Sequence, residues 1–563
     1  MNIRRLLCVV YCLFLAEAFL FGRVVWLQTA KWMEYKDRVE DQATCKITLR
    51  PRKGRIYDRN FGLLATSIKT HSLYTMPGQL KDSDQTARSL AEKGMGSYAE
   101  NKRKFLKHPD FVWIKRHITT DFGELSRTEN EIAIKGVYQC EDIKRVYPLD
   151  IASSLIGVTD PYGKGLSGIE YKFDRILEGE PCTVTMGKTP GGVLYPYPSY
   201  GIKRPKRGCN IILTIDAVTQ AIIEEGLKRT VEKFDAKDGM AIVMNPKTGE
   251  ILGMASVFGE LSRTVRWYGN VVVENQYEPG STFKVITLAC VLEDSIASFD
   301  TIVEDGSGRC VVMNKVIKDE KPHGPLTLRE AVARSSNVGF INLARMVGRE
   351  KLYKKTILFG FGQKTGIELP GEASGNVYPS SEWTPIRFAN IAFGQGISCT
   401  FLQLSMAFGC IANGGILLKP HIVKEIVDGD GNVVYTAKPE VIRRVIDEST
   451  TRDIVDLLVG VVTDGTGILA KVEGVDIAGK TGTSQKFKNG EYTEDYMSSF
   501  IGFFPADDPL FLVGVLIDEP KDVHFGSLVA APLFKEIVIR IISSELQIGR
   551  RLTQINTDKL SGL

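Results

Sequence analysis

A serine and a lysine three residues apart, directly after a Pro-Gly pair, are the feature that most constrains how this chain folds. Pro279 and Gly280 are a turn signal, and the apolar run that begins at Phe283 predicts a helix opened by Ser281. Positions i and i+3 share one helix face, so the Lys284 amine is predicted to lie beside the Ser281 hydroxyl. The N-terminus of such a helix also offers N–H groups and a positive dipole end to an oxyanion.

A serine hydroxyl is a weak nucleophile until a neighbouring base takes its proton, and Lys284 is the candidate base. By itself this spacing also fits an N-cap serine followed by a solvated lysine. Two later motifs favour the catalytic interpretation: an S-x-N at 335–337, and a K-T-G at 480–482 with Thr483 directly after it. In this order the three motifs are the signature of penicillin-recognising serine enzymes.

The surroundings of the two later motifs predict a suitable local structure. Helix-like apolar runs on either side leave Ser335 and Asn337 on a short break between two helices. Residues 475–481 are typical of a strand whose glycines permit close backbone approach, and apolar strands are predicted at 500–504 and 510–517. The polar segment 483–490 is expected to be rich in turns. Helices that carry the nucleophile and a strand that carries K-T-G predict an α/β arrangement with a cleft between them.

Five further segments match the motifs of one family: 52–60, with Lys53 in place of the usual arginine, 165–170, 213–216, 393–396 and 499–503. Over nearly its whole length the chain resembles the class B penicillin-binding proteins, which are monofunctional peptidoglycan D,D-transpeptidases. It is most like the division-specific penicillin-binding protein 3 branch. One departure is Gly526-Ser527, where relatives often carry Gly-Gly.

The resemblance implies an α/β (α+β) penicillin-binding transpeptidase fold, in which an antiparallel sheet has helices on both faces. An elongated mixed N-terminal pedestal and one N-terminal transmembrane helix accompany it. We expect a cytoplasmic tail at 1–5, a transmembrane anchor at 6–27 and a non-catalytic pedestal of the dimerisation type at 28–208. A transpeptidase domain at 209–545 and a polar tail at 546–563 complete the predicted organisation.

The resemblance also implies a role for each motif residue. Ser281 would attack the carbonyl of the penultimate D-Ala in a D-Ala-D-Ala stem peptide, while Lys284 takes its proton. Ser335 would relay protons and Asn337 would hold the substrate's amide. Lys284 must be largely neutral for this chemistry, and the positive charge of Lys480 is expected to help keep it so.

The K-T-G segment is implied to bind the terminal carboxylate of the substrate, through residues Lys480, Thr481, Gly482 and Thr483. The backbone N–H groups of Ser281 and Thr483 would form the oxyanion hole. β-Lactams resemble the substrate and would trap Ser281. The predicted partners are peptidoglycan stem peptides, β-lactam antibiotics, a membrane glycosyltransferase and division proteins, and no cofactor or metal is expected.

The N-terminus predicts the compartment. Arg4 and Arg5 precede residues 6–27, which are apolar except for Glu17 and Arg23 and are long enough to cross a bilayer as a helix. The positive-inside rule then places the catalytic domain in the periplasm or extracytoplasmic space of a bacterial inner (cytoplasmic) membrane. A cleaved signal peptide is the competing interpretation, because 16–18 resembles a small-residue cleavage site. The apolar stretch continues past that site, as in an uncleaved anchor.

Several other functions are less compatible with the sequence. Residues 474–481 satisfy the P-loop pattern, but the segment is strand-like and no apolar helix follows it. Residues 428–432 resemble a calcium loop, yet Val433 stands where that loop needs glycine, so a hairpin turn is expected. We therefore expect no nucleotide partner, and a net charge of +4 over 563 residues implies no nucleic-acid partner. A serine D,D-carboxypeptidase, a β-lactamase and a catalytically silent penicillin sensor remain alternatives, since all three can carry the same motifs.

Overall fold

The computed structural model of the chain describes residues 3–49, 51–118, 134–189, 194–196, 205–260, 269–488 and 490–547. Most of the predicted polar tail, residues 548–563, and the first two residues of the predicted cytoplasmic tail lie outside the described residues.

The helices share no common length and range from single turns to a 27-residue rod. In chain order they are Ile3–Thr29 (α1), Trp32–Ala43 (α2), Ser83–Glu92 (α3), Tyr98–Lys107 (α4), Ser153–Ile156 (α5), Gly168–Lys172 (α6), Asp174–Glu178 (α7), Ala217–Lys233 (α8), Val271–Glu274 (α9), Lys284–Glu293 (α10), Leu328–Arg334 (α11), Asn337–Val347 (α12), Arg349–Leu358 (α13), Pro385–Ile391 (α14), Phe401–Ala412 (α15), Glu448–Thr463 (α16) and Gly526–Gln547 (α17). Short 3-10 turns lie at Pro77–Gln79, Gly280–Phe283, Ser380–Glu382 and Ile468–Ala470.

The strands belong to several sheets. In chain order they are Thr44–Leu49 (β1), Ile56–Tyr57 (β2), Leu63–Thr75 (β3), Val112–Ile118 (β4), Val137–Val146 (β5), Cys182–Lys188 (β6), Leu194–Pro196 (β7), Asn210–Leu213 (β8), Asp238–Met244 (β9), Ile251–Phe258 (β10), Ile302–Gly306 (β11), Arg309–Val312 (β12), Lys315–Lys318 (β13), Gly324–Thr327 (β14), Ile416–Leu418 (β15), Val423–Val427 (β16), Val433–Thr436 (β17), Val441–Arg444 (β18), Ala478–Lys488 (β19), Glu491–Phe504 (β20) and Phe511–Asp518 (β21).

The packing of the chain divides it into two units. One comprises Met1–Arg52 and Glu178–Gly208, and the other comprises Lys53–Leu177 and Cys209–Leu563. The domain bounds predicted from the sequence group the residues differently and stay predictions.

The first unit contains α1, α2 and a three-stranded antiparallel sheet in the order β1-β6-β7. Helix α1 is apolar on all sides, with a mean hydropathy of 2.0 in its most apolar part, and none of its residues is buried. At 1.5 Å per residue it is about 40 Å long, which exceeds the ~30 Å of a bilayer core. Among the described residues it is the one helix long and apolar enough to span a membrane.

The second unit contains the sheet that carries the K-T-G motif. Its five antiparallel strands lie in the order β10-β9-β21-β20-β19. Successive residues of β9 enter two different cores: Met240 and Ile242 pack on one face, and Ala241 and Val243 on the other. Helices α15 and α16 cover the first face, and α8 and α17 cover the second. The predicted antiparallel sheet with helices on both faces is therefore confirmed.

A second, seven-stranded sheet lies in the same unit. Its strands follow the order β17-β16-β8-β2-β3-β4, and β5 pairs with β3 outside that path. The short strand β2 pairs in parallel with β8, which joins residues before position 60 to residues after position 209. The predicted hairpin turn at 428–432 is confirmed, because β16 and β17 pair on either side of it.

A buried group of charges in this unit explains two of the sequence motifs. The Lys53 ammonium lies 3.0 Å from Glu170 Oε2 and 2.6 Å from Asp174 Oδ1. Glu170 also accepts a hydrogen bond of 2.6 Å from Arg145 Nε, and the Arg145 Nη1 group donates to the Gly54 carbonyl. The segments 52–60 and 165–170 are therefore held together by an ion network whose central carboxylate is fully buried.

One local expectation is wrong. The polar segment 483–490 was expected to be rich in turns, but β19 continues to Lys488 and pairs with β20 along that length. Pairing with an adjacent strand satisfies the backbone of a polar segment that has no apolar face of its own. Because a strand and not a helix follows Lys480, the P-loop geometry is absent from this segment.

Candidate active site

The nucleophile segment is a tight turn that needs glycine at two positions. Ser281 lies in the 3-10 turn that leads into α10, rather than in the α-helix itself, which begins at Lys284. Gly280 has a φ of +58° and donates a 2.9 Å hydrogen bond to the Gly394 carbonyl. A Cβ on Gly394 would lie 2.1 Å from the Gly280 carbonyl oxygen, so a side chain at that position would push the turn out of place.

The Lys284 amine is the centre of the site. It lies 3.1 Å from Ser281 Oγ, 3.2 Å from Ser335 Oγ, 2.6 Å from the Ser335 carbonyl oxygen and 2.8 Å from Asn337 Oδ1. Its side chain is fully buried. The structure thus brings the S-x-x-K and S-x-N residues into direct contact through one nitrogen atom.

Burial lowers the pKa of the Lys284 amine well below its ordinary value, because no water solvates the ammonium form. The positive charge of Lys480 lowers this pKa further, and the carboxylate of Asp319 opposes both effects. Lys480 is itself buried, which lowers its own pKa to about 7. Neutral oxygens rather than a carboxylate contact the Lys284 nitrogen, so no direct ion pair offsets the effect of burial.

Helix capping places the S-x-N residues. Helix α11 begins with a capping box between Thr327 and Glu330 and ends at Ser335, which has a φ of +59°. Ser336 then caps α12 by accepting a hydrogen bond from the Gly339 N–H. The left-handed conformation of Ser335 costs about 1–3 kcal/mol for a residue other than glycine, and the surrounding contacts must offset it. This left-handed conformation places both the hydroxyl and the carbonyl oxygen of Ser335 within hydrogen-bonding distance of the Lys284 amine.

The K-T-G residues lie on β19, packed so closely that two glycines are required. A Cβ on Gly482 would lie 2.3 Å from Ser499 Oγ, and one on Gly526 would lie 2.2 Å from the Gly482 carbonyl oxygen. The Gly526 N–H donates a 3.0 Å hydrogen bond to Thr483 Oγ1. The close approach needs glycine at 526, whereas Ser527 lines the cleft without that constraint.

The predicted residues line one open cleft of about 560 Å³. Ser281, Ser335, Asn337, Thr481 and Thr483 all face it, while the Lys284 and Lys480 side chains lie buried beneath. The cleft is large enough for a peptide terminus, and its walls are mainly polar.

The sequence does not predict several residues that line the cleft or support the motif turns. Thr466 Oγ1 lies 2.8 Å from Thr481 Oγ1, and Asp319 contacts the S-x-N turn. Glu278, directly before the nucleophile turn, accepts hydrogen bonds from the Gly396 N–H and the Tyr492 hydroxyl. Burial raises the pKa of the Glu278 carboxyl. None of these contacts has a local sequence signal, because each joins residues that are far apart in the chain.

Two histidines that the sequence left without a role also face the cleft. The His524 ring stacks on the Tyr496 ring at 3.8 Å between centroids, and His323 also lines the cleft. Within the described part of the chain, no group of three or more histidine, cysteine or carboxylate side chains is arranged to hold a metal ion.

This arrangement can carry out acyl transfer. A hydroxyl beside a buried amine of lowered pKa supplies nucleophile and base, and a second hydroxyl on the same amine supplies a path for the proton. The chemistry needs a carbonyl substrate whose leaving group reaches Ser335.

Both the N-terminal and the C-terminal part of the chain match known protein families. Residues 239–538 match the penicillin binding protein transpeptidase domain, and residues 48–213 match the penicillin-binding protein dimerisation domain. The chain is 35% identical over 562 residues to stage V sporulation protein D of Bacillus subtilis, which covers 95% of this chain and 86% of that protein. It is 30% identical over 534 residues to the probable peptidoglycan D,D-transpeptidase PenA of Neisseria meningitidis, with 92% and 89% covered.

Solved structures give the same relationship. The crystal structure of penicillin binding protein 3 from Mycobacterium tuberculosis complexed with aztreonam superimposes with a TM-score of 0.69 at 27% identity. That alignment covers 89% of this chain and 97% of the other.

Proposed function

The chain belongs to the class B penicillin-binding proteins and is a serine-type peptidoglycan D,D-transpeptidase, and from that premise we propose that it cross-links stem peptides in septal cell-wall synthesis through an acyl-enzyme on Ser281. The observation that carries the assignment of the nucleophile is the 3.1 Å contact between the Lys284 amine and Ser281 Oγ. The septal role is supported by the structural similarity to penicillin binding protein 3.

In the acylation step, Ser281 Oγ attacks the carbonyl of the penultimate D-Ala and its proton passes to Lys284. The backbone N–H groups of Ser281 and Thr483 receive the developing oxyanion, and such a donor contributes about 3 to 4 kcal/mol in the transition state. The C–N bond then breaks, and the proton moves from Lys284 through the Ser335 hydroxyl to the departing D-Ala amine. The 3.2 Å contact between Lys284 and Ser335 Oγ supports this path.

Substrate binding uses the rest of the set. Thr481, Gly482 and Thr483 receive the terminal carboxylate, and the positive charge of Lys480 beneath them attracts it. Asn337 is oriented by Lys284 and holds the substrate's amide. In the second half-reaction an amine from another stem peptide loses a proton along the same path, attacks the ester and forms the cross-link. β-Lactams follow the first half-reaction and stay on Ser281.

A sporulation role is the second candidate. Stage V sporulation protein D is 35% identical to this chain, more than the 30% of the Neisseria relative. Labelling the full-length chain with a fluorescent protein in its own organism separates the two roles. The septal proposal predicts the label at mid-cell in growing cells, and a label confined to spore-forming cells would contradict it.

Helix α1 supports attachment to the membrane as a single-pass anchor, with the catalytic domain on the extracytoplasmic side. The reaction of this centre forms peptide cross-links rather than glycan strands, so we propose that a membrane glycosyltransferase supplies the glycan strands and that division proteins are its partners.

The reaction itself is tested with the full-length chain in detergent, a stem pentapeptide ending in D-Ala-D-Ala and an acceptor amine. Mass spectrometry measures the ratio of aminolysis to hydrolysis. The proposal predicts that the cross-linked product dominates and is lost in Ser281→Ala. Hydrolysis without aminolysis would indicate a carboxypeptidase, and acylation without either product would indicate a penicillin sensor.

A further inference from the structure

The loop after β13 clamps the S-x-N turn. Asp319 Oδ1 accepts hydrogen bonds from the Asn337 N–H at 2.5 Å and the Val338 N–H at 3.0 Å, and Asp319 Oδ2 accepts one from Ser336 Oγ at 2.6 Å. The Asn337 side chain also donates to the preceding Lys318 carbonyl oxygen at 3.4 Å. One carboxylate thus binds three consecutive residues of the turn.

The turn that Asp319 holds is the same turn that contacts the candidate base, Lys284. Asn337 Oδ1 and both oxygens of Ser335 are three of the four acceptors around the Lys284 amine. Ser335 is held in a left-handed conformation that is unfavourable for serine, so the turn needs restraint from outside itself. The Asp319 loop supplies it, because a charged acceptor makes stronger hydrogen bonds to N–H groups than a neutral one does.

We propose that Asp319 is a positioning residue for the transpeptidase reaction, which holds the Ser335–Asn337 turn against the Lys284 amine and balances the positive charge of Lys480 at that amine. This inference rests on the role of Lys284 as the base, which is itself proposed above. Asp319 need not touch the substrate to act in this way. It acts through the groups that surround Lys284.

The pKa of Lys284 depends on which charged groups lie near its amine. Lys480 on β19 lowers the pKa of Lys284 and Asp319 raises it, after the larger lowering by burial itself. The Phe340 ring on α12 lies 5.4 Å from the amine and is uncharged. Glu320, Lys321, His323, Arg334 and His524 line the solvent-filled cleft, where water and salt screen their charges.

The test is the pH dependence of penicillin acylation by the full-length chain in detergent, compared between wild type, Asp319→Asn and Asp319→Ala. Asparagine keeps an acceptor for the two N–H groups but removes the charge. Without that charge Lys284 loses its proton more easily, so the acidic limb of the rate profile is expected to move to lower pH by roughly half a unit or more. Alanine removes all three hydrogen bonds, and the acylation rate constant is expected to fall about 10- to 100-fold at every pH.

The exponential rate constant does not depend on how much of the sample is folded, so a loss of stability alone cannot produce either result. Asp453→Asn on the exposed side of α16 is the matched charge control and is expected to leave the profile unchanged. An acidic limb that stays in place in Asp319→Asn, or a wild-type rate constant in Asp319→Ala, would overturn the proposal. Lys284→Ala distinguishes the premise from the inference: if that variant still acylates at the wild-type rate, Lys284 is not the base.

Discussion

Two of the buried lysine side chains in the larger unit of this molecule, those of Lys53 and Lys284, have opposite surroundings. The Lys53 side chain is 7% exposed and lies between the carboxylates of Glu170 and Asp174. The Lys284 side chain is fully buried, and the hydrogen-bonding partners of its amine are neutral oxygens. Among the nearby charges, the positive charge of Lys480 has the largest effect on the pKa of Lys284.

The difference shows how one residue type is used for two purposes. A buried lysine between two carboxylates forms ion pairs that hold distant segments together, and the carboxylates offset the cost of burial. A buried amine without a paired carboxylate loses its proton more easily and can act as a base. Both side chains are buried, so their direct partners distinguish the lysine of the ion network from the candidate base.

The largest expected effect comes from making the same substitution at both lysines. Arginine keeps a positive charge and hydrogen-bond donors but cannot give up its proton in a protein. Lys284→Arg should therefore lower the acylation rate constant by roughly 10³- to 10⁴-fold, whereas Lys53→Arg should leave it within about a factor of two. The measurement is stopped-flow acylation by a fluorescent penicillin at neutral pH. Equal losses at the two positions would contradict the comparison.

Breaking the ion network is the next largest change. Glu170→Gln leaves the Lys53 ammonium and the Arg145 guanidinium with one fewer buried counter-charge, which is expected to cost about 3–5 kcal/mol of stability. Thermal unfolding of the full-length chain in detergent should show a lowered midpoint. The acylation rate constant of the molecules that stay folded should not change. A marked loss in that constant, with the midpoint unchanged, would place Glu170 in the chemistry instead.

The pH dependence of stability gives a third, smaller effect. Burial lowers the pKa of Lys480 to about 7, against about 10.4 in the unfolded chain. Between these values the unfolded chain holds a proton that the folded chain does not, so stability rises with pH across this window. From pH 7 to pH 9 we expect a gain of about 2 kcal/mol from this group.

Lys480→Met should remove that gain, while Lys471→Met, an exposed lysine before the same strand, should keep it. Urea unfolding followed by circular dichroism at the two pH values measures the difference. If both variants gained stability as the wild type does, Lys480 would not be the group that loses its proton.

The smallest expected effect concerns Asp174, the second carboxylate beside Lys53. Asp174 is 22% exposed, so water replaces part of what its carboxylate provides. Asp174→Asn should cost about 1 kcal/mol, clearly less than Glu170→Gln. The same thermal measurement tests the order of the two variants, and the reverse order would mean that Asp174 is the main counter-charge of Lys53.

The sequence predicts the candidate site residues because their pattern is local. Ser281 and Lys284 share a helical spacing, and the three motifs sit on elements whose apolar periodicity is clear. The structure brings these motif residues to one cleft. Two apolar strands with a turn between them were also predicted from the residues, whereas the antiparallel sheet was implied by the family resemblance.

What the sequence did not predict depends on pairs that are distant along the chain. Asp319 reaches the S-x-N turn only because the β12–β13 hairpin folds back onto α12, and Lys53 meets Glu170 only after β2 has joined the larger sheet. The polar end of β19 was mistaken for turns because its partner, not its own pattern, makes it a strand. Such contacts are set by tertiary packing, which local propensity does not contain.

The central claim is that Ser281 is the nucleophile and that the buried Lys284 amine, whose hydrogen-bonding partners are neutral oxygens, activates it. Intact-mass analysis of the full-length chain in detergent, after incubation with a labelled penicillin, tests it most directly when wild type, Ser281→Ala and Lys284→Arg are compared. We predict one adduct per chain in the wild type, none in Ser281→Ala, and none within the same time in Lys284→Arg. An adduct that persists in Ser281→Ala, or forms at the wild-type rate in Lys284→Arg, would contradict the account.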